Sequence, residues 1–167
     1  MLHRVVCGSR DLSVRSAERE APPGALAETL QNVHRVVDSG LAQVAALTSA
    51  RRFADASARL FQCCETWESQ VRLEEELLYP IFELRLGTAG AGTAAMREEH
   101  RELREAFARL RLALQRGRRP PAEAALESLT ALLGSHHSRE ARVVYPTLDA
   151  MLSDGERGRL LTRVESA

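Results

Sequence analysis

Gln70 and Glu74 stand four residues apart, as do His136 and Glu140, and each pair runs on into a Tyr-Pro step, Tyr79-Pro80 and Tyr145-Pro146. On a helix, residues four apart project from one face, so each pair is a two-pronged chelating unit in principle. His34 and His100 complete the set, each lying 36 residues before Gln70 or His136 (70 − 34, 136 − 100). Three imidazoles, two carboxylates and one amide make a donor set suited to iron, manganese or zinc, and no thiolate group is at hand for a zinc–cysteine or iron–sulfur site. Two carboxylates able to bridge, with histidines on both sides, favour a two-metal centre of the kind that helix-bundle cores hold.

The elements that must position these residues come from an internal duplication. Glu74, Tyr79, Pro80 and His34 recur at Glu140, Tyr145, Pro146 and His100, all at an offset of 66 (140 − 74, 100 − 34). Such a period marks a doubled two-helix unit. The apolar pattern repeats with it. Leu30, His34, Val37, Leu41, Val44 and Thr48 follow a 3-4 spacing that is matched by Met96, His100, Leu103, Phe107, Leu110 and Leu114. Leu60, Cys63, Trp67, Gln70, Glu74, Leu77 and Ile81 are matched by Leu126, Leu129, Leu133, His136, Glu140, Val143 and Thr147. Residues at this spacing share the buried seam of a helix. The candidate ligands therefore interrupt four apolar seams, where an ionised carboxylate costs several kcal/mol unless it is paired, hydrogen-bonded or bound to a cation. A metal is the simplest compensation.

Taken in order, residues 1 to 24 lack periodicity and end in Ala21-Pro-Pro-Gly24, which reads as a flexible N-terminal tail carrying His3 and Cys7. Helices are expected from about Ala25 to Ala50, Arg52 to Leu86, Ala94 to Gln115 and Ala122 to Met151, with bends at the interior Pro80 and Pro146. Gly40 is a weak point in the first. Gly87 to Thr93 reads as a flexible connector without the lysine or the spacing of a phosphate loop. Ser153, with Glu156 three residues on, opens a short C-terminal helix. No segment alternates like a strand. The fold class is all-α: an up-down-up-down four-helix bundle over 25–152, a short C-terminal helix over 153–167 and the tail over 1–24.

Composition narrows the function. The 23 arginines, with no lysine, balance 23 acidic residues, so there is no basic surplus for nucleic acid. Three cysteines, Cys7 and the adjacent Cys63-Cys64, make no disulfide framework. No apolar run approaches the roughly 20 residues of a membrane helix, and Val5-Val6-Cys7 is too short for a signal-peptide core. The expected compartment is the cytoplasm. Glu75 and Glu76 read as solvated, and His137, rotated about 100° from His136, as facing solvent or a neighbouring helix. Tyr79 and Tyr145 lie one position off the seam, with bundle packing as their first role and hydrogen bonds to the glutamates as the second.

The pattern resembles the hemerythrin-like HHE cation-binding family: a histidine on helix one, His-x-x-x-Glu with a Leu-Tyr/Phe-Pro ending on helix two, Glu-His on helix three and a second His-x-x-x-Glu…Tyr-Pro on helix four. The resemblance covers about residues 25–152 and implies a non-haem di-iron centre. It places His34, Glu74, His100, His136 and Glu140 at ligand positions, with Glu74 and Glu140 as the bridges. Gln70 departs from the pattern, which wants histidine there, and a neutral amide is a weaker ligand. Three states follow: a di-iron site with Gln70 or water as ligand, a single metal around His100, His136 and Glu140, or a bundle without metal. The resemblance further implies a small ligand at the iron (dioxygen, peroxide or nitric oxide), with sensing, iron handling or stress response favoured over oxygen carriage. Peroxide or nitric oxide chemistry at the iron is the enzymatic alternative. A metal-poor bundle acting through protein contacts is the non-catalytic one.

Overall fold

The computed structural model describes residues 20–87 and 93–165. Most of the expected N-terminal tail, with His3 and Cys7, and residues 88–92 of the connector lie outside the described residues. The described chain is helical without strands: α1 (Ala25–Ser49), α2 (Phe53–Leu73), α3 (Tyr79–Leu86), α4 (Ala94–Gln115), α5 (Arg119–Arg139), α6 (Tyr145–Ala150) and α7 (Asp154–Glu165). α2 runs on into α3, and α5 into α6, so each pair forms one long rod. α1 packs on α2 and α5, and α4 on α5 and α2, the neighbour relations of an up-down-up-down bundle. The fifth helix begins earlier than its periodicity suggests because Pro120 and Pro121 sit in its first turn, where a missing N–H costs nothing.

The junctions inside the two rods differ from the expected proline bends. Glu74–Leu78 and Glu140–Val144 are π-helical, with the Tyr79 N–H donating to the Glu74 carbonyl and the Tyr145 N–H to that of Glu140, five residues back. Each π turn adds one residue just ahead of the proline, which has no N–H to give to the carbonyl four residues earlier. The extra residue shifts the buried face by one. Leu78, Tyr79 and Phe82 therefore fill the core in place of the expected Leu77 and Ile81. In the second half Val144, Tyr145 and Leu148 are buried, while Val143 is 54% exposed. Every seam position up to Glu74 and Glu140 is buried as its spacing requires.

The interior is divided. Upper residues such as Val44, Leu60, Trp67, Phe107, Leu110 and Leu129 form one apolar cluster, and lower residues such as Leu30, Leu78, Tyr79, Met96, Tyr145 and Leu148 form another. Between them lies a layer of polar seam residues. Gly40, a helix weakness by propensity, has a packing reason: a Cβ there would stand 2.3 Å from the Cys63 sulfur. At the lower end the Ser153 hydroxyl and Glu156 cap α7 reciprocally. Buried Arg157 ties α7 down by donating to the carbonyls of Ala21, Asp149 and Leu152.

Candidate metal centre

The polar layer draws on all four rods. His34 comes from α1, Gln70 and Glu74 from the α2 end and its π turn, His100 from α4, and His136 and Glu140 from the α5 end and its π turn. All six are at least nine-tenths buried, and Glu140 and His100 are fully so. Glu74, His100, His136 and Glu140 each offer a ligand atom within 4.8 Å of the others. His34 joins them through its Nε2, 3.2 Å from Glu140 Oε2. Gln70 turns its amide nitrogen inward, 2.7 Å from His34 Nε2 and donating to Glu74 Oε1 at 2.8 Å. Its carbonyl oxygen is buried without a partner.

A cation fits this donor set on physical grounds. His100 and His136 direct their Nε2 atoms at one another across 3.2 Å. Behind each ring, Nδ1 meets a carboxylate, Glu75 at 2.8 Å for His100 and Glu99 at 3.0 Å for His136. Those carboxylates hold the proton on Nδ1 and leave the Nε2 lone pairs facing inward, the arrangement of a carboxylate–histidine–metal triad. His100 Nε2 to Glu74 Oε2 and His136 Nε2 to Glu140 Oε2 are each 3.3 Å. Ligands bound at about 2.0–2.2 Å stand roughly 3.0–3.5 Å apart around one ion, so the spacings match.

The tyrosines cross between halves. Tyr79, from the α2–α3 rod, donates to Glu140 Oε1 at 2.8 Å. Tyr145, from the α5–α6 rod, donates to Glu74 Oε1, lies 3.1 Å from Glu140 Oε2 and accepts from Gln70 Nε2 at 2.7 Å. The π turns make this possible by rotating both tyrosines inward from their off-seam positions. Burial, then the neighbouring carboxylates, keep both phenols protonated and thus donors.

Burial and the nearby Glu74 charge push the Glu140 carboxyl up to about 8. Burial pushes Glu74 the same way, but the hydrogen bond and charge of His100 and the Tyr145 hydroxyl outweigh it and hold Glu74 below its usual value. Burial works to lower His100, yet its bonds to Glu74 and Glu75 raise it overall. His34 and His136 are lowered, chiefly by burial. At neutral pH the metal-free layer thus keeps Glu140 protonated, while the mutual contacts of Glu74 and His100 favour the charged form of each.

Two residues differ from their sequence reading or were missed by it, and a third takes one of its two alternatives. Glu75 is half-buried against His100 rather than solvated, while Glu76 is exposed. Glu99 plays the matching part for His136, and the signal for both was a glutamate directly beside a candidate ligand. His137 takes the neighbouring-helix alternative: it is buried and stacks on His34 with ring centroids 3.8 Å apart and 5° between planes. Both of its nitrogens lack a hydrogen bond, and burial, then the charges of His34 and His136, depress it to about 2.

Trp67 closes the layer from above, edge-on to His100 and stacked on Phe107. Cys63 and Cys64 are free, and burial raises both thiols. Among the described residues no helix is long and apolar enough to cross a membrane. The family model described as Hemerythrin HHE cation binding domain matches residues 25–148, and a second match spans 91–164. The second begins 66 residues after the first (91 − 25), the period of the duplication. No curated protein and no solved structure matches the chain.

Proposed function

Because the chain belongs to the hemerythrin HHE cation-binding domain family, we propose that its buried layer binds non-haem iron at two positions of unequal strength and responds to a small oxidant. The facing Nε2 atoms of His100 and His136, 3.2 Å apart with carboxylates behind both rings, carry the metal reading. His100, His136, Glu74 and Glu140 would hold the first ion. His34, with water or with Gln70 once its carbonyl oxygen turns inward, would share the two carboxylates with a second. Iron supplies one-electron chemistry and a coordination position open to dioxygen, peroxide or nitric oxide.

The protein's own residues set the terms. Glu75 and Glu99 fix the imidazole tautomers, Tyr79 and Tyr145 orient the carboxylates, and Trp67 with Phe107, Leu103 and Leu133 excludes water. An amide at position 70 in place of imidazole makes the second position weaker, which favours redox or iron sensing over reversible oxygen carriage. Residues 25–152 act as the metal-binding domain, with 153–167 as its buttress, in the cytoplasm.

A single-ion reading has its own support, since the Gln70 amide nitrogen and the Tyr145 hydroxyl fill the His34 side with hydrogen bonds. Metal analysis after anaerobic iron loading separates the two. Two irons per chain are expected, with Gln70→His tightening the second; one iron in both proteins supports the single site. Iron-free protein defeats the proposal.

A further inference from the structure

Phe61 is the one large aromatic side chain exposed among the described residues, 65% open to solvent. It stands at a cleft of about 270 Å3 between α2 and α4, floored by the buried Leu60 and Phe107. Scattered exposed aliphatics are ordinary, but an aromatic ring left in water beside an apolar floor marks a contact surface. The charges around the cleft are sorted by helix: Glu65 and Glu68 come from α2, Arg104 and Arg111 from α4. Glu68 and Arg104 pair across it at 3.0 Å. Glu65 and Arg111 make no ion pair among the described residues.

That sorting makes the face complementary to its own image. A two-fold axis laid along the cleft puts α2 of one copy over α4 of the other, so each acidic wall meets a basic wall, twice. Both Phe61 rings, which line their own clefts, then close on one another over the apolar floors. Counted from the Glu68–Arg104 pair towards the head, Glu65 lies about 4.5 Å and Arg111 about 10.5 Å along, so roughly one helical turn separates them. An arginine side chain spans that offset. The other clefts lack this symmetry. The one between α4 and α5 is lined by Arg109, Arg116 and Arg118 without an acid, and those between α1 and α5 by Asp38, Glu123 and Glu127 without a base. Either would repel its own image across a two-fold.

We propose that the α2–α4 face is the contact between two copies of this chain, a two-fold dimer in which Phe61 is the central apolar anchor and Glu65 of each copy pairs with Arg111 of the other. The proposal goes beyond the metal reading and does not depend on it.

Sedimentation velocity on the full-length protein over a dilution series tests it. A monomer–dimer equilibrium is expected, and Phe61→Asp should weaken it about tenfold or more (~1.4 kcal/mol). Glu65→Arg and Arg111→Glu should each weaken it, and both in one chain should restore it to within about threefold of the unaltered protein, because the exchanged charges pair again. Leu84→Asp, at an 80% exposed position on α3, should leave the dimer unchanged. Circular dichroism checks native helicity in each variant, and recovery in the double variant separates a lost contact from a lost fold. A monomer at every concentration overturns the proposal and leaves the cleft to a different protein or to residues 1–19. Association that grows past the dimer marks an open-ended acidic-to-basic contact and overturns it too. So do a dimer indifferent to Phe61→Asp, one weakened equally by Leu84→Asp, or charge variants whose losses add in the double.

Discussion

Loading the centre with ferrous ion should release protons, and the number follows from the metal-free layer. A metal needs Glu140 ionised and the His100 Nε2 lone pair free. With Glu140 near 8, about nine-tenths of the molecules carry its proton at pH 7. His100, raised above its ordinary 6.5, adds a further fraction of up to one. One to two protons per first ion are therefore expected at pH 7. Removing the Glu140 proton at that pH costs about 1.4 kcal/mol, so affinity should rise about tenfold per pH unit per proton as pH climbs towards 8. Anaerobic calorimetry in buffers of different ionisation enthalpy counts the protons directly. Glu140→Gln should weaken binding and release about one proton fewer. A pH-independent affinity with no proton release would mean that both glutamates are already ionised, and the account of one shared charge would be wrong.

Three further outcomes are expected. Tyr145→Phe removes the hydroxyl that serves Glu74, Glu140 and Gln70 and should cost about 1–3 kcal/mol in urea unfolding of metal-free protein; an unchanged midpoint would show the contacts idle. His137 is depressed to about 2 in the fold but takes a proton near 6.5 when unfolded, so the unfolded state binds more protons between those values. Stability is accordingly intact above 6.5 and lost as pH falls, by about 1.4 kcal/mol per unit or about 2 kcal/mol at pH 5. His137→Phe should flatten the pH-stability profile by one proton, and an unaltered slope would refute the assignment. Gly40→Ala, which helix propensity alone favours, should instead destabilise by about 1–3 kcal/mol because the new methyl meets Cys63 Sγ. Pairing it with Cys63→Ala in a double-mutant cycle should recover most of that loss; additive costs would place the strain elsewhere.

The bundle and the six polar seam residues were legible because burial follows a 3-4 period and the duplication states it twice. Legibility ends at Glu74 and Glu140. Beyond them the sequence is apolar on two adjacent faces, Leu77-Leu78, Ile81-Phe82 and Val143-Val144, so periodicity alone cannot choose between an uninterrupted helix and one with an added residue. Tyr-Pro was the available sign, read as a bend when the chain answers it with a π turn. Glu75 and Glu99 stayed hidden for a different reason. A glutamate among arginines looks solvated until an imidazole 25 or 37 residues away on another rod turns its Nδ1 towards it.

The split interior has a mechanical consequence. The molecule has a head and a foot, joined at a hydrophilic waist, and each end keeps its own oil-filled compartment. A cation gripping Glu74, Glu140, His100 and His136 is a rivet through that waist. Without it the foot, built from α3, α6, α7 and the N-terminal ends of α1 and α4, is expected to breathe open at lower cost than the head. Occupancy would then be readable far from the ion, as slowed amide exchange along Tyr145–Ala150 and Asp154–Glu165.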